Sequence, residues 1–231
     1  MGWWSKGCRM CFARLTYGFL EVTFGGGLWR LNHGEVCGVL PDEACIMVCN
    51  HGSYLDWLLL DLLLLRKERR NVTFLAKTKL LGNPVWRLMI WYRRAILVDE
   101  QEKLQGTAKI IRLFRNQGES KPLVVIFPEG TRSRSGQRLP ASPGAAWLAR
   151  KCGVRLVPVA LRGFWQVWPP DRLLPSVRRT GLLVRFLDPI DVELIGDDEA
   201  ATALAMDRIY EVIGESRSSP GLMAKGVTQA L

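Results

Sequence analysis

Histidine is nearly absent from this chain: His33 and His51 are its only two in 231 residues. Chemistry that needs a base titrating near neutrality therefore has two candidates. Metal ligands are also sparse. Cys8-x-x-Cys11 has no second ligand pair and no histidine cluster, so neither zinc nor any other metal site is expected. No long Lys/Arg tract and no nucleic-acid-binding motif occur, which argues against a nucleic-acid partner. Residues 1–32 contain no run of about 18 apolar residues, because Arg14 and Glu21 interrupt it, so a spanning helix is disfavoured. They show no clean signal-peptide pattern, and Lys6 stands where myristoylation wants Ser or Thr. No internal repeat is visible.

What is present is a globular composition, 48% apolar and 23% charged, of a length that suits one α/β domain. The net charge of +10 favours anionic partners. Six cysteines, two of them in the apolar run 44–49, read as reduced and structural, and so as cytosol-facing. In residues 1–32, Trp3, Trp4, Phe12, Tyr17, Phe19, Phe24 and Trp29 alternate with Lys6, Arg9, Arg14 and Arg30. Aromatic rings and cations together suit a helical segment lying in an anionic membrane surface. The plainer alternative is a helix packed on the core. Residues 33–218 would form the main domain and 219–231 a fraying tail.

Along that domain, strands are expected at 36–39 (an edge), 44–49, 72–76, 96–98, 123–127, 154–161 and 182–187. Helices are expected at 54–65, 85–92, 101–116, 144–151 and 198–214, the third with Leu104, Ala108, Ile111 and either Phe114 or Arg115 near one stripe. Pro158 lacks an N–H, which suggests an edge strand or a bulge. Strands alternating with helices imply a largely parallel sheet covered on both faces, with functional side chains at one strand edge. His51, Lys77 and Glu129 each follow a predicted strand.

Two stretches carry chemistry. The first, Asn50-His51-Gly52-Ser53-Tyr54-Leu55-Asp56, joins a strand to a helix. With His51 in the turn and Asp56 in the first helical turn, the carboxylate can reach the imidazole, fix its tautomer and steady its charge. Ser53-x-x-Asp56 equally fits a helix-capping arrangement. The second, Phe127-Pro128-Glu129-Gly130-Thr131-Arg132-Ser133, can aim backbone N–H groups, a hydroxyl and a guanidinium fork at one anion. It equally fits a surface turn with a Glu129–Arg132 ion pair.

Together these blocks resemble the glycerophospholipid acyltransferases, the 1-acylglycerol-3-phosphate acyltransferases and their relatives. Asn50, His51, Ser53 and Asp56 match the family's Asn-His-x-Ser-x-x-Asp pattern, residues 127–133 its Phe-Pro-Glu-Gly-Thr-Arg-Ser, and Val157-Pro158-Val159-Ala160-Leu161 its proline-containing strand. Ala76-Lys77, Pro84 and residues 95–99 match more loosely; Lys79 replaces a frequent glutamate and Glu100 a usual arginine. The resemblance implies a glycerol-3-phosphate acyltransferase-like α/β fold and acyl transfer from acyl-CoA or acyl-carrier protein to a lysolipid hydroxyl. His51 would be the base and Asp56 its partner. Glu129, Gly130, Thr131 and Arg132 would hold the acceptor's anionic head, and Lys77 would assist the oxyanion. Asn50, Ser53 and Pro158 would be structural members of the motifs. No cofactor is implied beyond the thioester donor. A monotopic or peripheral enzyme on the cytoplasmic membrane face would fit. Lys79 and Glu100 raise a lyso-aminolipid acceptor, such as lyso-ornithine lipid, as an alternative. A non-catalytic binder of anionic membranes is the reading from another class.

Overall fold

The computed structural model describes residues 26–64, 72–82, 87, 96–98, 103–116, 121–172, 174–176 and 180–214. Apart from Arg87, the expected helix at 85–92 lies outside them, as do the tail from 219 and most of the N-terminal segment. Seven strands form one sheet: β1 (Glu35–Cys37), β2 (Cys45–Cys49), β3 (Val72–Lys77), β4 (Ile96–Val98), β5 (Leu123–Ile126), β6 (Arg155–Arg162) and β7 (Leu183–Phe186), in the order β1-β7-β6-β2-β5-β3-β4. All pairings are parallel except β6 with β7. β2 is central, with Met47 level with Val125 on one side and Val157 on the other.

A central parallel strand is covered on both faces, so it has to be apolar throughout. All five residues of β2 are fully buried. Cys45, Met47 and Cys49 face one layer, built from α1 (Gly26–Leu31), α2 (Leu55–Leu63) and α5 (Phe164–Val167). Ile46 and Val48 face the other, built from α3 (Lys103–Arg115), α4 (Gly144–Cys152), α6 (Val192–Ile195) and α7 (Asp198–Gly214). Each such aliphatic side chain contributes roughly 1.5–3 kcal/mol on burial. Burial also pushes the Cys49 thiol well above its ordinary pKa, with Asp56 adding to the effect, so it is an inert filler. From the segment read as interfacial, residues 26–31 form α1, and Leu28 enters the core.

Two expectations need correction. Pro158 is on neither an edge nor a bulge, because β6 lies between β7 and β2. The Pro158 carbonyl accepts from Leu187, one residue past the end of β7. In an extended residue N and C=O point the same way, so the missing donor falls where the β7 ladder has stopped. In α3 the buried stripe is carried by Ile110 and Phe114, while Ala108 is exposed. Phe114 and Ile111 of the expected stripe do pack on the core, so of its described apolar members only Ala108 departs from it.

Candidate active site

β2, β3, β5 and β6 run in one direction, so their carboxyl ends share an edge. His51 occupies the turn leaving β2, and the 127–133 loop leaves β5 beside it. Asp56 sits in the first turn of α2 with its side chain only 1% exposed. Its Oδ2 lies 2.9 Å from His51 Nδ1 and also accepts the N–H groups of Gly52 and Ser53, each at 2.8 Å. An ionised carboxylate can only accept, so a hydrogen bond at this contact assigns the proton to Nδ1, and in the neutral ring Nε2 then keeps its lone pair. The capping reading and the dyad reading therefore hold at once: Asp56 reaches back to the Ser53 N–H while orienting the imidazole. Ser53 Oγ accepts the Leu55 N–H and donates to the Trp168 carbonyl at 2.7 Å, tying the turn to the segment after α5.

Asn50 holds the turn from the other side. Its amide donates to the Leu161 carbonyl at 3.0 Å and accepts the Leu161 N–H at 2.8 Å, so it continues the sheet ladder beyond Cys49. The second loop grips His51 at two points. The Phe127 ring stacks on the imidazole, centroids 4.2 Å apart, and the Ser133 N–H donates to the His51 carbonyl at 2.8 Å. Gly130 supplies the positive φ, +66°, that this turn demands, and its N–H returns to the Phe127 carbonyl. Thr131 and Gly130 are exposed; Arg132 is half-buried, its guanidinium 3.8 Å above the Tyr54 ring.

Glu129 behaves differently from its neighbours. It is 8% exposed, and its carboxylate turns inward to accept the Tyr210 hydroxyl of α7 at 2.7 Å. It thus sits inside the turn rather than on the face open to a ligand. Burial pushes its carboxyl above the ordinary range; the Tyr210 hydroxyl and the backbone amides of Leu139 and His51 partly offset this. The Tyr210 phenol is pushed well up, by burial first and by Glu129 second. Lys77 ends β3 on the same sheet edge; its side chain lies outside what is described. A cavity of about 180 Å³ opens beside His51, lined among others by Asn50, Asp56, Arg162, Trp165, Thr180 and Tyr210. Among the described residues no group of three His, Cys, Asp or Glu could hold a metal ion. Sequence reasoning did not single out Phe127 as the platform for the ring or Tyr210 as the partner of Glu129. The alternation of apolar and polar residues carries no signal for either.

Residues 34–162 match the sequence model of the Acyltransferase family, more than half of the chain. The chain belongs to the acyltransferase family. It is 26% identical over 219 residues to a 1-acyl-sn-glycerol-3-phosphate acyltransferase of Cocos nucifera, covering 93% of this chain and 69% of that protein. It is 29% identical over 151 residues to the Helicobacter pylori enzyme of that name, covering 65% of this chain and 62% of that one. A mouse relative, 1-acyl-sn-glycerol-3-phosphate acyltransferase alpha, is 28% identical, with 79% and 62% covered. The chain thus spans a little under two thirds of the length of two of these three relatives. The crystal structure of the 1-acyl-sn-glycerophosphate acyltransferase PlsC from Thermotoga maritima shares the fold, with a TM-score of 0.64 at 19% identity over 91% of this chain and 95% of that one. In this acyltransferase the matched region includes both strand-end motifs and the proline strand. Tyr210 and all of α7 lie beyond it.

Proposed function

We propose that this acyltransferase moves a fatty acyl group from acyl-CoA or acyl-carrier protein to the free hydroxyl of a lysolipid, with 1-acylglycerol-3-phosphate as the acceptor and phosphatidic acid as the product. His51 Nε2 takes the hydroxyl proton as the alcohol oxygen attacks the thioester carbonyl carbon. An alcohol is too weak a nucleophile without such a base. The tetrahedral intermediate collapses with cleavage of the carbon–sulfur bond, and the thiolate takes the proton back from the imidazolium. Asp56 stays anionic throughout and stabilises the charged ring. No covalent acyl-enzyme and no cofactor beyond the donor are needed. Gly130, Thr131 and Arg132 receive the acceptor's phosphate, and Glu129 holds their turn from within. Lys77 and backbone amides at the strand ends serve the oxyanion. The enzyme works at the cytoplasmic face of a membrane, where its lipid substrate is concentrated; among the described residues no helix is long and apolar enough to cross one.

One observation carries this reading: the imidazole oriented by Asp56 at 2.9 Å sits against the anion-capable loop, bonded to it through Ser133. The test is transfer of a radiolabelled acyl group to lysophosphatidate by the wild-type and His51→Ala proteins. Loss of about 10²–10⁴-fold in the variant is expected; near-wild-type turnover would overturn the mechanism. Adding lyso-ornithine lipid as a competing acceptor separates a carboxylate-bearing headgroup from a phosphate. Vesicle binding without transfer from either donor would point to the non-catalytic alternative.

A further inference from the structure

We infer that Tyr210 is a positioning residue for this reaction, fixing the 127–133 loop, and through it His51, from the far C-terminal helix. The inference rests on the acyl-transfer reading for its kinetic consequence, though not for its geometry.

Besides Asp56, the 127–133 loop meets His51 at both its ring and its carbonyl. Phe127 is the surface under the imidazole and Ser133 holds the His51 carbonyl. Between them, five residues turn through a left-handed glycine and make few bonds of their own: Gly130 returns to Phe127, and Ser142 donates to the Pro128 carbonyl at 2.9 Å. At the middle of that turn the chain inserts Glu129, a carboxylate more than nine-tenths buried. Taking such a group out of water is unfavourable unless a donor meets it. The side-chain donor that meets it comes from 81 residues away, the Tyr210 hydroxyl, at 2.7 Å.

Tyr210 is itself held in place. Arg138, on the loop that continues from the motif, lies over its ring at 6.0 Å and ion-pairs with Asp207 on the same helix. The helix beneath is seated by Ala201, Ala205, Met206, Ile209 and Val212, all buried against the sheet face opposite α2. The turn is therefore referenced to the rigid core through Tyr210, and the imidazole is referenced to the turn. The charged and titratable groups facing this pair are His51, Asp56 and Arg138. A hydroxyl that merely filled space could be replaced by hydrogen without kinetic effect. One that sets a catalytic ring could not, since small displacements of a base from its line of attack are costly.

The experiment compares wild type with Tyr210→Phe, which keeps the ring and removes only the hydroxyl. Steady-state rates with both substrates, thermal unfolding, and amide hydrogen exchange across 127–133 are measured on the full chain. The expected result is a kcat lowered about tenfold with both KM values within about twofold. The Gly130 and Ser133 amides should exchange about tenfold faster, while the amides of β2 and β5 keep their protection. A kcat within about twofold of wild type overturns the inference. So does a loss that appears as lowered Tm and faster exchange throughout, which is what a merely structural residue would give. Should the wild-type protein transfer no acyl group at all, the acyl-transfer reading fails. The exchange of Gly130 and Ser133 then still decides whether Tyr210 holds the loop.

Discussion

Arg132 lies over the ring of Tyr54, with its guanidinium carbon 3.8 Å from the ring centroid. Its Nη1 is buried and meets no hydrogen-bond partner among the described residues. The aromatic face supports the cation without occupying its hydrogen-bond donors, and in the proposed function this is the cation that meets the acceptor's phosphate. Cation–π support of this kind is worth about 0.5–2 kcal/mol. Tyr54→Leu should therefore raise the KM for the acceptor by about 2- to 30-fold and leave kcat nearly unchanged. An equal effect on the donor KM would show that Arg132 serves the other substrate.

Asp56→Asn keeps the size of the side chain and can keep its bonds from the Gly52 and Ser53 amides. It loses the charge that favours the protonated ring and permits the wrong tautomer. A fall in kcat on the order of 10³–10⁴-fold is expected, by analogy with the same change in a serine-protease triad. The fold should survive, and circular dichroism alongside the rate measurement checks both halves.

Asn50→Ala strips two hydrogen bonds from the backbone of Leu161, one donated and one accepted. Each buried group left unpaired costs about 1–3 kcal/mol. For two such groups in a chain of this size that corresponds to a Tm lower by roughly 4–24 °C. Thermal unfolding of the purified variant tests it; an unchanged Tm would mean that water replaces the amide.

Glu129 sets a pH dependence of stability. Burial raises its carboxyl above the ordinary value of 4.5, so the native state holds the proton more tightly than the unfolded chain. Stability from this group is complete below the unfolded value and declines as pH rises through the native one. Glu129→Gln removes the titration while keeping an oxygen that Tyr210 can meet. The variant's Tm relative to wild type should accordingly be more favourable at about pH 7.5 than at about pH 4. A difference that is flat with pH would refute the assignment.

Much of this was legible before any coordinates. The β-branched run at 123–126 and the apolar run at 45–49 are strands because nothing else buries such side chains on two faces. α7 begins and ends at the expected residues, 198 and 214. The His51–Asp56 pair was also legible, since both partners lie within one turn of chain. What escaped is long-range. Pro158 reads as an edge residue until it is known that β7 stops at Phe186. Ala108 enters the expected stripe of α3 because alanine counts as apolar wherever it points. Glu129 enters the candidate site only through the family resemblance, and nothing in the sequence signals the bond its carboxylate accepts from Tyr210.

The tie between Glu129 and Tyr210 spans 81 residues, whereas that between His51 and Asp56 spans five. Yet the turn that carries the short pair leaves β2, a strand that has both its neighbours only when β5 and β6 are in place, so both ties wait on distant parts of the chain and the site is complete only when the domain has closed through α7.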